Sequence, residues 1–164
     1  MTVLVATVAL CATCNASLAP LPPDPPIVVD RRSPECTVAV IGDYGDASPS
    51  EAAVAALVHG WQPDLVVTLG DNNYPRGSAR TIDANIGQYY HRYIAPYRGT
   101  FGKGAASNRF FPSLGNHDWR SPAAAPYLEY FDLPGNERYY DVRWGPVHFF
   151  ALDSDRHEPD GVTP

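Results

Sequence analysis

Apolar residues along the chain gather into short runs separated by turn-forming residues. Cys36-Thr-Val-Ala-Val-Ile41 is rich in β-branched residues and stops at Gly42-Asp43, the pattern of a buried strand. Asp64-Leu-Val-Val-Thr-Leu69 repeats it and stops at Gly70-Asp71. Between them the period becomes helical: Val54, Leu57, Val58 and Trp61 follow Ser48-Pro-Ser-Glu51, with Ser50 as the expected cap. Strand, helix and strand joined by short links predict a right-handed βαβ unit with a parallel pair. Both Gly-Asp pairs then fall at the carboxyl ends of neighbouring strands, where open α/β sheets build their sites.

Further along, Ile82, Ile86, Tyr89, Tyr90, Tyr93 and Ile94 recur at helical spacing and predict an amphipathic packing helix that ends before Pro96. Residues 110–114 read as a third strand, followed by Gly115-Asn-His-Asp118, and residues 127–131 as a short helix. Residues 138–144 and 147–152 flank Gly145-Pro146 and predict a hairpin. At the other end, residues 1–13 form an uncharged apolar run shorter than the roughly 20 residues of a spanning helix. With small residues at Cys14 and Ala16 it reads as a signal peptide region, residues 1–19, so the expected location is secreted or periplasmic, with no stable membrane anchor. Six prolines between Pro20 and Pro34 make residues 20–35 a linker, and the folded domain is expected over 36–164. With the leader removed, Cys36 is the one thiol left and no intrachain disulfide can form.

A length of 164 residues fits one domain, and 45% hydrophobic with 18% charged residues is enough to bury a core. The net charge of −6 argues against a sequence-independent grip on nucleic acid, which needs a basic footprint.

Three successive strands therefore end in a glycine followed by a ligand-type side chain: Gly42-Asp43, Gly70-Asp71 and Gly115-Asn116. Carboxylates and an amide carbonyl are hard oxygen donors suited to multiply charged metals. Glycines let the backbone turn where those side chains must converge. Tyr74 adds a phenol three residues after Asp71, and His117 stands beside Asn116 as a proton donor or phosphate contact. Singly, an Asp after a strand is more often a helix cap or turn former. Three such ends together favour a metal site.

At these residues the chain resembles the calcineurin-like metallophosphoesterases and, within them, the purple acid phosphatases of the tartrate-resistant type. That subgroup's pattern runs D-x-G, G-D-x-x-Y, G-N-H-[DE], V-x-x-H and G-H-x-H. Asp43-Tyr-Gly45, Gly70-Asp-Asn-Asn-Tyr74 and Gly115-Asn-His-Asp118 match the first three in order. The resemblance implies a layered α/β sandwich and hydrolysis of a small phosphate ester by hydroxide activated between two metals. It implies that Asp43 and Tyr74 hold Fe(III), that Asp71 bridges both ions, and that Asn116 binds a divalent partner (Fe, Zn or Mn). His117 then faces the scissile phosphate. V-x-x-H and G-H-x-H do not occur in these residues, so the expected fold is the incomplete N-terminal βαβ half with a mixed sheet. For the same reason the 164 residues alone are expected to turn over little, and a catalytically inactive remnant or binding module is the alternative.

The other candidates read as structural. His59, His91, His148 and His157 follow no strand-end glycine, Asp46 fits a turn, Arg76 a solvated loop, and Asp153 and Asp155 the start of a polar turn. An aspartyl-phosphate enzyme would need Asp-x-Asp where Asp43 and Asp46 give Asp-x-x-Asp. A serine esterase would need Gly-Asp-Ser or Gly-x-Ser-x-Gly, and neither occurs.

Overall fold

The computed structural model describes residues 36–160. The expected signal peptide and proline-rich linker lie outside the described residues. Strand β1 (Val38–Ile41) pairs in parallel with β2 (Leu65–Thr68), and β2 with β3 (Phe110–Phe111), in the order β1-β2-β3. Helix α1 (Pro49–Trp61) joins β1 to β2 and completes the βαβ unit of an α/β fold. Strands β4 (Tyr140–Trp144) and β5 (Val147–Ala151) form a separate antiparallel pair around Gly145, whose φ of 54° suits the turn. Matched register puts Ala39, Val66 and Phe110 side by side, and Ile41 beside Thr68, all buried on one face of the parallel sheet. On the other face Phe111 meets Trp144 of β4 edge-on, ring centroids 6.3 Å apart, which layers the hairpin against the sheet.

Helix α1 corrects two expectations. Its cap is Ser48 rather than Ser50: Pro49 takes the first helical position, where an N–H is not needed, and Ser48 Oγ accepts from Glu51 N at 3.2 Å. Its buried face carries Glu51, Ala55 and Val58, while Val54, Leu57 and Trp61 are exposed. The phase is set by Glu51, whose Oε2 turns inward to accept from the N–H groups of Asp46 (3.0 Å) and Ala47 (2.7 Å). A helix anchored through residue 51 then buries residues 55 and 58 by its own period.

The third strand is shorter than the apolar run because Pro112 cannot donate to a ladder. The carbonyl of Pro112 instead accepts the hydroxyls of Tyr127 and Tyr140. The aromatic helix begins as a π-helical turn, Asp83–Gly87, continues as α2 (Gln88–Tyr90) and closes in a 3-10 turn, His91–Tyr93. Ile82, Ile86, Tyr90, Tyr93 and Ile94 are buried and Tyr89 is half-buried, so this face is packing, as the spacing predicts. Tyr90 packs on Phe110, which stacks on Phe131 beyond helix α3 (Ala125–Tyr130). Among the described residues no helix is long and apolar enough to cross a membrane.

Candidate metal centre

The loops after β1 and β2 turn in the same way. Asp43 has φ 51° and Asp71 φ 52°, left-handed conformations that Asp tolerates better than most residues. Equivalent strain at two adjacent strand ends persists where the surroundings over-determine it, and such places are often functional. Here the surroundings are close backbone contacts. A Cβ on Gly115 would drive into the backbone of Asp71, and one on Gly45 into the carbonyl of Asn72. Asp43 N donates to Gly70 O at 3.2 Å, and Tyr74 N to Gly45 O at 2.6 Å. The three glycine-bearing segments are thereby packed into one unit.

That unit brings the expected residues together. Tyr74 Oη donates to Asp43 Oδ1 at 2.8 Å and to Asp71 Oδ2 at 3.0 Å, one hydrogen shared between two carboxylates. Asp71 is 8% exposed, and its Oδ1 accepts from His117 N at 2.8 Å. A cavity of about 330 Å³ is lined by Asp43, Asp71 and Asn116, with Gly70, Gly115, Ser154 and Asp155 in its walls. His117 lies against the Tyr74 ring, centroids 4.2 Å apart, and its Nδ1 donates to Pro75 O at 2.9 Å. A carbonyl only accepts, so this bond puts the hydrogen of a neutral ring on Nδ1 and leaves Nε2 as the second site for a proton.

Burial, then the hydrogen bonds to Asp43 and Asp71 and the repulsion of their charges, hold the Tyr74 phenol well above the usual tyrosine range. Two carboxylates competing for one hydrogen have acceptor capacity to spare, which is the condition a hard cation satisfies. Among the described residues no three His, Cys, Asp or Glu side chains converge closely enough to hold a metal. The donor set is therefore two carboxylates, a phenol and an amide, and its chemistry fits hard metal ions.

Beneath the site lies a buried polar layer. Asn72, fully buried, accepts from Thr68 Oγ1 and Tyr44 Oη and donates to Ser113 O and Asp118 Oδ2. Asp118 Oδ2 also accepts from Gly115 N at 2.9 Å. Burial raises the Asp118 carboxyl to about 6, against the pull of the bonds from Gly115 and Asn72. Asn72 and Asp118 support the loops, and neither lines the cavity.

One residue read from sequence as a turn former also reaches the cavity. Asp155 lines it, and the turn that carries it is clamped: Trp119 Nε1 donates to Asp153 Oδ2 at 2.9 Å, and Arg138 Nε lies 3.0 Å from both oxygens of Glu158. Asp155 Oδ1 accepts from His157 Nδ1 at 2.7 Å. The available signal was the Asp-Ser-Asp at the end of β5, a fourth strand-end carboxylate. His59 bonds Tyr89 O, His91 bonds Gly87 O and His148 bonds Asp141, all outside the cavity lining. Asp46 accepts from Ser48 N as a turn former, and Arg76 is exposed outside the lining. A second cavity, about 360 Å³ against the hairpin, has apolar walls such as Phe150 and Leu152 and one carboxylate, Asp141.

A parallel sheet whose strand ends bring oxygen-bearing side chains to one cleft defines the class, an α/β protein with its candidate site at the carboxyl edge of the sheet. Residues 36–158 match the family model of the calcineurin-like phosphoesterases, and the chain belongs to that family. Members generally bind two metal ions and hydrolyse phosphoesters. No curated protein and no solved structure matches the chain significantly.

Proposed function

We propose that this phosphoesterase is of the purple-acid-phosphatase type, acting on small phosphate monoesters outside the cytoplasm. The observation that carries the reading is the Tyr74 hydroxyl held between Asp43 and Asp71 at 2.8 and 3.0 Å. In this reading Asp43 and Tyr74 hold Fe(III), Asp71 serves both ions, and Asn116 serves a divalent Fe, Zn or Mn. When bound, the two ions supply Lewis-acid stabilisation of the phosphate charge and a nucleophile at moderate pH.

The chain's own residues do the rest. Asp71 is fixed by the His117 backbone N–H, so its second oxygen is oriented along with the Tyr74 phenol. His117 Nδ1 is tied to Pro75 O, which leaves Nε2 to hold a proton toward a phosphoryl oxygen or leaving group. Ser154 and Asp155 also line the cavity and, in this reading, bound the space for the ester. A second reading, a catalytically inactive remnant or binding module of the same fold, is compatible with the lack of three converging His, Cys, Asp or Glu side chains among the described residues.

The experiment is metal content, visible spectrum and hydrolysis of a chromogenic phosphomonoester by the chain loaded with Fe(III) plus Zn(II) or Mn(II), beside Asp71→Ala. The expected result is a coloured, metal-bearing protein whose slow turnover disappears, together with both metals, in the variant. Two metals per chain retained by Asp71→Ala would overturn the assignment. Bound metal with no turnover would select the binding module.

A further inference from the structure

We infer that Asn85 is a positioning residue of the candidate centre, setting the Tyr74 phenol against Asp43; this rests on the reading of Tyr74 and Asp43 as donors to one metal. The two side chains come from loops 31 residues apart, yet their oxygens lie at 2.8 Å. Something must hold the loops in register. Asn85 is 4% exposed, and its Nδ2 lies 2.8 Å from Gly45 O, 2.9 Å from Tyr74 O and 2.9 Å from Asn73 Oδ1. One buried amide thus ties the carbonyl two residues after Asp43 to the carbonyl of Tyr74 itself. Gly45 O also accepts from Tyr74 N, so the carbonyl that depends on this amide is that of Tyr74, and leaving it unpaired is costly.

The placement of Asn85 is itself built. It sits in the π-helical turn Asp83–Gly87, where Gln88 N reaches back to Asp83 O, and such turns occur often at functional sites. Asp83 fastens the turn to Tyr97, Tyr130 and Thr100, while Asn85 faces the site loops. Asn73 Oδ1, the third acceptor, is also held by Thr81 Oγ1 at 2.7 Å. Asn85 bonds neither carboxylate and acts through Gly45 and Tyr74, so its removal should change how well a metal is held. A purely structural asparagine would affect stability alone.

The test compares Asn85→Asp, which keeps the volume and removes the amide donor, with Asp83→Asn on the other side of the same turn. Folding is followed by circular dichroism, and Fe(III) is titrated while the tyrosinate-to-iron absorption band is recorded. For Asn85→Asp, Fe(III) affinity should fall about 10- to 100-fold, the usual range for second-layer partners of a metal, and the band should shift or weaken. Asp83→Asn should lower the unfolding midpoint and leave affinity and band unchanged. If Asn85→Asp does not fold, Thr81→Val decides: a several-fold loss of affinity supports the inference and no change overturns it. Equal affinity and an unmoved band in a folded Asn85→Asp protein would overturn it, as would an equal band shift in Asp83→Asn. A wild-type protein that takes up Fe(III) with no visible band would defeat the Tyr74 reading first, and this inference with it.

Discussion

At Asp83 one carboxylate serves two phenols, whereas at the strand ends one phenol serves two carboxylates. Asp83 accepts Tyr97 Oη at 2.6 Å and Tyr130 Oη at 2.8 Å on one oxygen, and the N–H and hydroxyl of Thr100 on the other. Every acceptor has a donor. Burial works against its charge, but the hydrogen bonds from Tyr97, Thr100 and Tyr130 outweigh it and draw the carboxyl below its ordinary value. Tyr74 has a single hydrogen to offer Asp43 and Asp71, and its phenol is pushed the other way, toward retention of the proton. The two clusters use the same residue types. The balance of donors over acceptors separates a closed knot from a cluster with acceptor capacity to spare.

The largest effect that follows is on stability and belongs to the closed knot. Asp83→Ala strips the partner from two phenols and a backbone N–H at once, and should cost about 3 kcal/mol or more. Metal uptake per folded molecule should be unchanged. Denaturant unfolding beside Fe(III) titration checks both halves, and an Asp83→Ala protein of wild-type stability would erase the contrast.

Tyr74→Phe probes the open cluster and should give a smaller, different effect. It removes the shared hydrogen and the phenolate donor while keeping the ring against His117. Fe(III) affinity should drop about 100-fold, at least as far as in Asn85→Asp, and the iron-loaded protein should lose its visible colour. Stability should rise or hold in the presence of metal-free carboxylates only if the shared hydrogen contributes little, so the same unfolding assay measures that contribution. A Tyr74→Phe protein with an undiminished visible band would place the colour, and the metal, elsewhere.

Much of this contrast was legible before any coordinates. The strand-end signature Gly-Asp, Gly-Asp, Gly-Asn located Asp43, Asp71 and Asn116 because burial of β1 and β2 and the parallel crossover leave few places for those side chains. Tyr74 followed from its spacing to Asp71. The face of α1 was not legible, because the hydrophobic period counts Val54, Leu57 and Trp61 as core. The phase was decided instead by a buried hydrogen-bonded carboxylate, Glu51. Nor was Asn85 legible. An asparagine in an aromatic helix carries no signal until the π-helical turn and the two loops that it joins exist in three dimensions. Asp155 was visible as a strand-end acid and was read as a turn, which it is. The clamp by Arg138 that delivers it to the cavity spans twenty residues and has no local pattern.

Glu51 gives the smallest predicted effect. Its Oε2 has two backbone donors, Asp46 N and Ala47 N, while its Oε1 is buried without a partner, near the equally unpartnered Tyr90 hydroxyl. Burial, offset in part by those two bonds, raises the carboxyl from 4.5 to about 7. A carboxyl whose folded value lies above its unfolded value binds its proton more tightly in the folded chain. Its contribution to stability is therefore full below pH 4.5 and is lost as the pH rises through about 7. Glu51→Gln keeps an oxygen for Asp46 N and Ala47 N and removes the titration. The variant and the wild type should match near pH 4.5, and by pH 8 the variant should be the more stable by about 1–2 kcal/mol, below the full conversion of the shift because a buried charge relaxes its surroundings. Asp118 and Asp153, both also raised to about 6, titrate in the same window but are common to the two proteins and cancel in the difference. Urea unfolding at pH 4.5, 6 and 8 measures it. Parallel stability curves for the two proteins would mean that water reaches Oε1, and that the loop carrying Asp43 rests on a solvated carboxylate.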